Sequence, residues 1–181
     1  MQKLVMNGTP MSPKDFKEHV TTLTKDQYPV LSGFDSESSG CGSYGFYIKL
    51  SKELGVKIIK AACQTDGGLC LARKEFENLM VCWKRKPSLF PRPYGVVELQ
   101  WEGKKKYGIV MQHIDGMTAS QVSYDKFRKI REKIEKQLDQ IGIEHRDLHE
   151  GNVMVMEYGF CRRYKVIDCD PQFVKVQERE G

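Results

Sequence analysis

Apolar side chains recur along this chain in two rhythms, one helical and one alternating. Phe127, Ile130, Ile134, Leu138 and Ile141 are spaced 3, 4, 4 and 3 residues apart, which lays one apolar stripe along an α-helix. Ser123 ahead of the stripe and Gly142 behind it stand where an N-cap and a left-handed C-terminal cap belong. A looser helical pattern, with Leu71, Phe76, Leu79, Met80 and Trp83, runs from Leu71 to Lys86 until Pro87, Pro91 and Pro93 stop it. A further helix is predicted from Ser12 through about Leu23, because Ser12, Pro13 and Asp15 together read as a capping-box-like start.

The alternating rhythm fills the front half. Segments around Pro29 to Ser36, Tyr44 to Leu50 and Leu54 to Ala61 are rich in β-branched and aromatic residues and are separated by Gly and Ser clusters. They predict three consecutive antiparallel strands. VVELQW (96 to 101) and YGIVMQHI (107 to 114) predict two more, joined through the polar turn EGKKK, and short strands are expected at Asn152 to Met156 and Tyr164 to Asp168. Strands gathered in front, with a helix and short strands behind, predict an α+β chain with two lobes.

Composition narrows the class. With 181 residues, 40% apolar and 29% charged, the chain is one globular domain with a real core. No apolar run approaches the roughly 20 residues of a membrane helix, and MQKLVMNGTPMSPKDF lacks a secretion signal's apolar core, so the expectation is a cytoplasmic protein with no membrane association. The cysteines at 41, 63, 70, 82, 161 and 169 form no CxxC pair and are expected as free thiols. The net charge of +5 is modest. Its basic groups, Lys84 to Lys86, Lys104 to Lys106, and Arg162 with Arg163, are expected as solvated turns and faces, so a nucleic-acid partner is not expected.

Candidate chemistry lies at three places. GCGSYGFY puts Gly40, Gly42 and Gly45 in a G-x-G-x-x-G pattern between two predicted strands. No helix follows, so the pattern is read as a β-hairpin, whose bare backbone is able to lie over phosphates or simply to flex. Lys57, in VKIIK, has apolar neighbours on either side. Either it lies on a solvent face or it is buried against an anion, and Glu75 and Glu77 on the next helix compete for that role. In IEHRDLHEGNVMV, Asp147 and Asn152 lie five positions apart ahead of a short strand, and Asp168 ends the next one. Three such oxygen donors suit a hard cation such as Mg²⁺ when phosphates complete its shell, although all three residue types also form turns. His145 and His149 share a four-residue spacing, but no HExxH glutamate accompanies them and zinc is not favoured.

In this order the motifs resemble those of the protein kinase-like superfamily over about residues 30 to 170. The resemblance implies an ATP- and Mg²⁺-dependent kinase. The glycine loop would be Gly40, Gly42 and Gly45; Lys57 would hold the α and β phosphates and pair with Glu75. IVMQHIDG is similar to the hinge, with Met111 as gatekeeper and the backbone of Gln112 and Ile114 facing adenine. HRDLHEGN resembles the catalytic loop, making Asp147 the catalytic base and Asn152 a metal ligand, with Asp168 as the second. The implied arrangement is residues 1 to 29 as a helical extension, an antiparallel N-lobe at 30 to 114, and a strongly reduced C-lobe at 115 to 181.

Three features depart from the family pattern. Cys169 and Asp170 replace the phenylalanine and glycine that usually follow the metal-binding aspartate. His149 stands where protein kinases carry a lysine near the γ phosphate and is similar to small-molecule kinases, whereas Arg146 leans toward protein kinases. Only 13 residues follow Asp168, which leaves no room for an activation loop or a peptide-binding lobe. The expectation is therefore a minimal serine/threonine kinase of the kind found in bacteriophages and bacterial effectors. It would act on a protein substrate, with an activating partner in some such proteins; the alternatives are a small-molecule or RNA kinase of the aminoglycoside-kinase type and a catalytically weak kinase-like module that binds a partner.

Overall fold

The computed structural model describes residues 4–6, 9–22, 30–32, 39–41, 45–59, 67–101, 104–159 and 161–177. These fall into two compact units, residues 1–76 with 93–113 and residues 77–92 with 114–181.

The first unit is built on one sheet. In chain order its elements are β1 (Leu4–Met6), β2 (Thr9–Met11), α1 (Pro13–Thr22), β3 (Val30–Ser32), β4 (Ser39–Cys41), β5 (Gly45–Lys49) and β6 (Leu54–Ile59). The first part of α2 (Gly67–Arg85), then β7 (Pro93–Trp101) and β8 (Lys104–Gln112), complete it. The sheet order is β2-β1-β3-β7-β8-β6-β5-β4. Every pairing is antiparallel except that of β3 with β7. Of the three consecutive antiparallel strands expected, the last two pair as expected, β5 with β6, whereas the first, β3, lies instead beside β7 in parallel, and β4 takes the other side of β5. Residues 29, 33–36, 44 and 60–61 of the expected strands lie outside the described residues. The segment before residue 30, expected as a helical extension, also supplies two strands to the sheet.

Alternation gives the central strands two faces. Ile48, Leu54, Val56, Ile58, Val97, Leu99 and Val110 join Phe16 of α1 in one buried cluster, so α1 covers that face. Its start shows one half of a capping box: the Ser12 hydroxyl accepts the Asp15 N–H at 3.2 Å and donates to Asp15 Oδ2 at 2.6 Å. The opposite face carries Tyr47, Gly55, Lys57, Ile109 and Met111, as the registers Tyr47↔Lys57, Lys57↔Ile109 and Gly55↔Met111 require.

The second unit contains the end of α2, then β9 (Met117–Thr118), α3 (Tyr124–Gln140), β10 (Ile143–His145), β11 (Val153–Tyr158), β12 (Cys161–Val166) and β13 (Val174–Val176). β12, β11 and β9 form one sheet, and β10 pairs with β13 in another. Phe127, Ile130, Ile134 and Leu138 bury the expected stripe of α3. Gly142 adopts the left-handed φ of +67°, whereas the Ser123 side chain makes no capping hydrogen bond. Arg85, expected as part of a solvated basic group, instead donates to the carbonyls of Ile141 at 2.8 Å and Gln177 at 2.8 Å, joining the ends of α3 and β13 to α2. Lys165 is likewise buried, its ammonium donating to the Pro87 and Phe90 carbonyls at 2.8 and 2.6 Å. Cys70, Cys82, Cys161 and Cys169 are free thiols. No helix among the described residues is long and apolar enough to cross a membrane.

Candidate active site

Lys57 projects from the middle of β6, and its ammonium meets Glu75 Oε1 at 2.5 Å, both side chains being nearly buried. The choice of glutamate follows from the phase of α2. Its buried positions are Ala72, Glu75, Leu79 and Cys82, spaced 3, 4 and 3 residues apart, so Glu75 lies on the inward stripe. Glu77 falls on the exposed side. Of the expected apolar positions only Leu79 is fully buried, while Leu71, Phe76, Met80 and Trp83 flank that stripe. A buried lysine and carboxylate in contact offset part of each other's desolvation, and neither would be tolerated there alone.

The other expected nucleotide residues of the first unit lie on neighbouring strands of the same sheet. Gly40 lies opposite Tyr47 in the β4–β5 ladder and Gly45 lies opposite Ile59, while Gly42 lies outside the described residues. Met111 is buried on the Lys57 face, and Gln112 ends β8 opposite Leu54. Beyond it, the His113 N–H donates to the Glu53 carbonyl at 2.8 Å. Ile114, the last expected hinge residue, is buried and belongs to the second unit.

In the second unit the run HRDLHEGN forms the connection between β10 and β11. The Asn152 amide nitrogen donates to the Asp147 backbone carbonyl at 3.0 Å and approaches its Oδ2 at 3.4 Å. This holds the loop in a tight arc with the Asp147 carboxylate partly open to solvent. His149 caps the short 3-10 turn Glu150–Asn152: its Nδ1 accepts the Gly151 N–H at 3.0 Å, and its Nε2 lies 3.8 Å from Asp147 Oδ2. A Cβ at Gly151 would crowd the His149 ring and push it from this seat. Arg146 points away into a two-pronged pair with Glu144, at 2.9 and 3.2 Å, and this contact holds the Glu144 carboxyl below its ordinary range.

Asp168 lies just past β12, with Oδ1 accepting the Asp170 N–H at 3.0 Å. Its backbone carbonyl is 3.0 Å from Nε2 of His145, a half-buried ring whose proton affinity burial pulls down from the ordinary 6.5. His145 therefore ties Asp168 to the strand that leads into Asp147, a positioning role the sequence reading did not assign. Asn78 was also missed: its Nδ2 donates to the carbonyls of Cys169 at 2.9 Å and Val174 at 3.2 Å. The signal for it was only a polar residue amid the helical run of α2. Asp170 turns the chain, accepting the Gln172 N–H at 2.8 Å, and leads it into β13, which pairs His145 with Val174.

The donor set fits magnesium better than a self-sufficient cage. Among the described residues no three His, Cys, Asp or Glu side chains cluster around a point that could hold a metal. Asn152 and Asp168 offer two hard oxygens, as expected where substrate phosphates supply the rest. The amide nitrogen of Asn152 is committed to Asp147, which leaves its oxygen as the end suited to a cation.

No family model and no curated protein matches the chain. Among solved structures it is similar to a Rio2 kinase–ADP/Mg²⁺–phosphoaspartate complex from Chaetomium thermophilum, with a TM-score of 0.55 and 16% identity. The match covers 75% of this chain and 47% of that one, so this chain matches less than half the length of its neighbour. The chain has a protein kinase-like fold.

Proposed function

We propose that the protein is an ATP- and Mg²⁺-dependent phosphotransferase, with a serine or threonine hydroxyl of a protein as acceptor. The observation that carries this reading is the Lys57–Glu75 ion pair. It joins a sheet lysine to a helix carboxylate on the face that also bears Met111, as a phosphate-anchoring lysine requires. Asp147 would accept the acceptor's proton as its oxygen bonds to the γ-phosphorus and the bond to ADP breaks. Lys57 would neutralise phosphate oxygens, and Asn152 with Asp168 would hold the metal. Magnesium, when bound, supplies charge neutralisation on the phosphates.

A second reading, transfer to a small molecule or RNA, is favoured by His149 standing 3.8 Å from Asp147 and by Arg146 already being paired with Glu144. Labelled ATP offered with protein, aminoglycoside and RNA acceptors separates the two. Label on protein alone supports the first, and label on the others alone replaces it. Asp147→Asn should lower transfer about 10²- to 10⁴-fold while ATP binding persists. Unchanged turnover in that variant removes the phosphotransferase assignment.

A further inference from the structure

Charge is sorted by side on α3. Lys126, Lys129, Lys133 and Lys136 are all exposed and are spaced 3, 4 and 3 residues apart, so their ammonium groups run as one line about 15 Å long up a single flank of the helix. No acid stands in that line, because Asp125, Glu132 and Asp139 recur every seventh residue on the outer face. The other flank carries Arg128 and Arg131, and each is paired, with Asp125 at 3.9 Å and with Glu135 at 2.7 Å. Among the described residues none of the four lysines makes an ion pair. A merely solvated helix interleaves its charges into pairs one turn apart; here one flank does so and the other does not. The line is invisible as a run of letters, since only the helical period collects it.

The lysine flank borders the hairpin of β11 and β12. Lys133 lays its ammonium over the Tyr164 ring, 5.7 Å from the centroid. With Glu157, Gly159 and Arg162 these two residues wall an open cavity of about 480 Å³. Arg162 and Tyr164 share one face of β12 by alternation, and Arg162 is held by Glu157 at 2.9 Å. Near the hairpin's tip Tyr158 is 58% exposed, and the Arg163 guanidinium lies over its ring, 5.6 Å from the centroid.

We propose that the lysine flank of α3 and the tip of the β11–β12 hairpin together bind a single-stranded nucleic acid. The strand's phosphates follow the lysine line to Arg162, and an unpaired base stacks on Tyr158. In the cavity the Glu157 carboxylate accepts from a base amino group or a ribose hydroxyl. Other polyanions fit only part of this surface. An acidic peptide meets the lysines but leaves the exposed ring without a stacking partner, and a duplex keeps its bases closed to it. An anionic membrane calls for apolar side chains beside the lysines, where α3 carries acids instead. The surface lies wholly within the second unit, and its argument does not use the phosphotransferase reading.

The test is fluorescence anisotropy on the full chain with a short labelled RNA, the DNA of the same sequence and its duplex, across a salt series. At least one single strand should bind, with an affinity that falls as salt rises, and the tighter of the two identifies the source. Lys129→Gln with Lys133→Gln should weaken binding about tenfold and reduce the salt slope by about 1.4. Arg128→Gln with Arg131→Gln makes the same change in net charge on the paired flank and should alter neither. Tyr158→Ser should weaken binding about tenfold with the slope unchanged, and Tyr158→Phe should retain the affinity. Equal losses from the two double variants, no binding of either strand, or a duplex bound as tightly as the single strands overturns the proposal. Polyglutamate or anionic vesicles that compete as well as the oligonucleotide also overturn it, in favour of an acidic protein or a lipid surface. Ultraviolet crosslinking of the wild-type chain to the RNA gives a readout free of any variant's folding: adducts within 126–136 or 158–164 support the surface, and adducts confined elsewhere overturn it.

Discussion

Lys57 and the loop that carries Asp147 are held by opposite means. Lys57 and Glu75 are charges taken out of water, 14% and 7% exposed in their side chains, and each is stabilised there by the other. Asp147 and His149 remain 38% and 53% exposed, and backbone contacts shape the loop that carries them: the Asn152 amide on the Asp147 carbonyl and the Gly151 N–H on His149. The contrast fits the proposed roles. A lysine that must stay fixed for a polyanion gains from desolvation already met by a partner, whereas a base that must reach an incoming hydroxyl has to stay accessible. Stability and activity should therefore be coupled at the first place and separable at the second.

The sharpest way to break that contrast is Lys57→Met, which strands Glu75 in the core. It should cost about 3–5 kcal/mol of stability and abolish transfer, while Asp147→Asn leaves the denaturation midpoint nearly unchanged. Adding Glu75→Leu should restore most of the lost stability and none of the activity. Equal midpoints for Lys57→Met and Asp147→Asn would show that the pair is not a structural charge pair at all.

Asn78→Ala tests the second unit next. It removes the donor shared by the Cys169 and Val174 carbonyls and should cost about 1–3 kcal/mol. Hydrogen exchange should then quicken through 170–176 and remain unchanged in β6.

Two pH dependences are smaller. Burial disfavours the charged form of His145, so the unfolded chain takes up its proton first, and the native state loses stability as the pH falls below about 6.5, the ordinary value. His145→Asn should flatten that acid limb in thermal melts. Lys165 behaves in the same sense at high pH. Burial lowers its pKa from 10.5 to about 8, so between those values the unfolded chain holds more protons and stability rises with pH. Lys165→Gln should remove this rise, and a slope that survives the substitution assigns it to other groups.

Local pattern carried a large part of this molecule. The half capping box at Ser12, the buried stripe of α3 and the positive φ of Gly142 depend on residues within a few positions of each other, where spacing alone dictates geometry. The same holds only in part for the loop from His145 to Asn152: the Asn152–Asp147 and Gly151–His149 contacts lie within five residues, while His145, Arg146 and Asn152 also bond to Asp168, Phe173 and Ile167.

What needed the tertiary structure was every relation between distant segments. Glu75 and Glu77 are equivalent as letters, and only the phase of α2 turns one inward and the other to solvent. The strand at residue 30 was legible, but its partner was not, because hydrogen-bond ladders carry no side-chain code for β7 over β5. The residues after Asp168 looked like a short tail until β13 was found beside β10. Tyr47 meets His113 from 66 positions away across a glycine that reads, in one dimension, as an ordinary strand interruption. Sequence determined which groups are available and how each sits on its own element. Only the packing of one element on another, driven by burial and strand register, decided which of them meet.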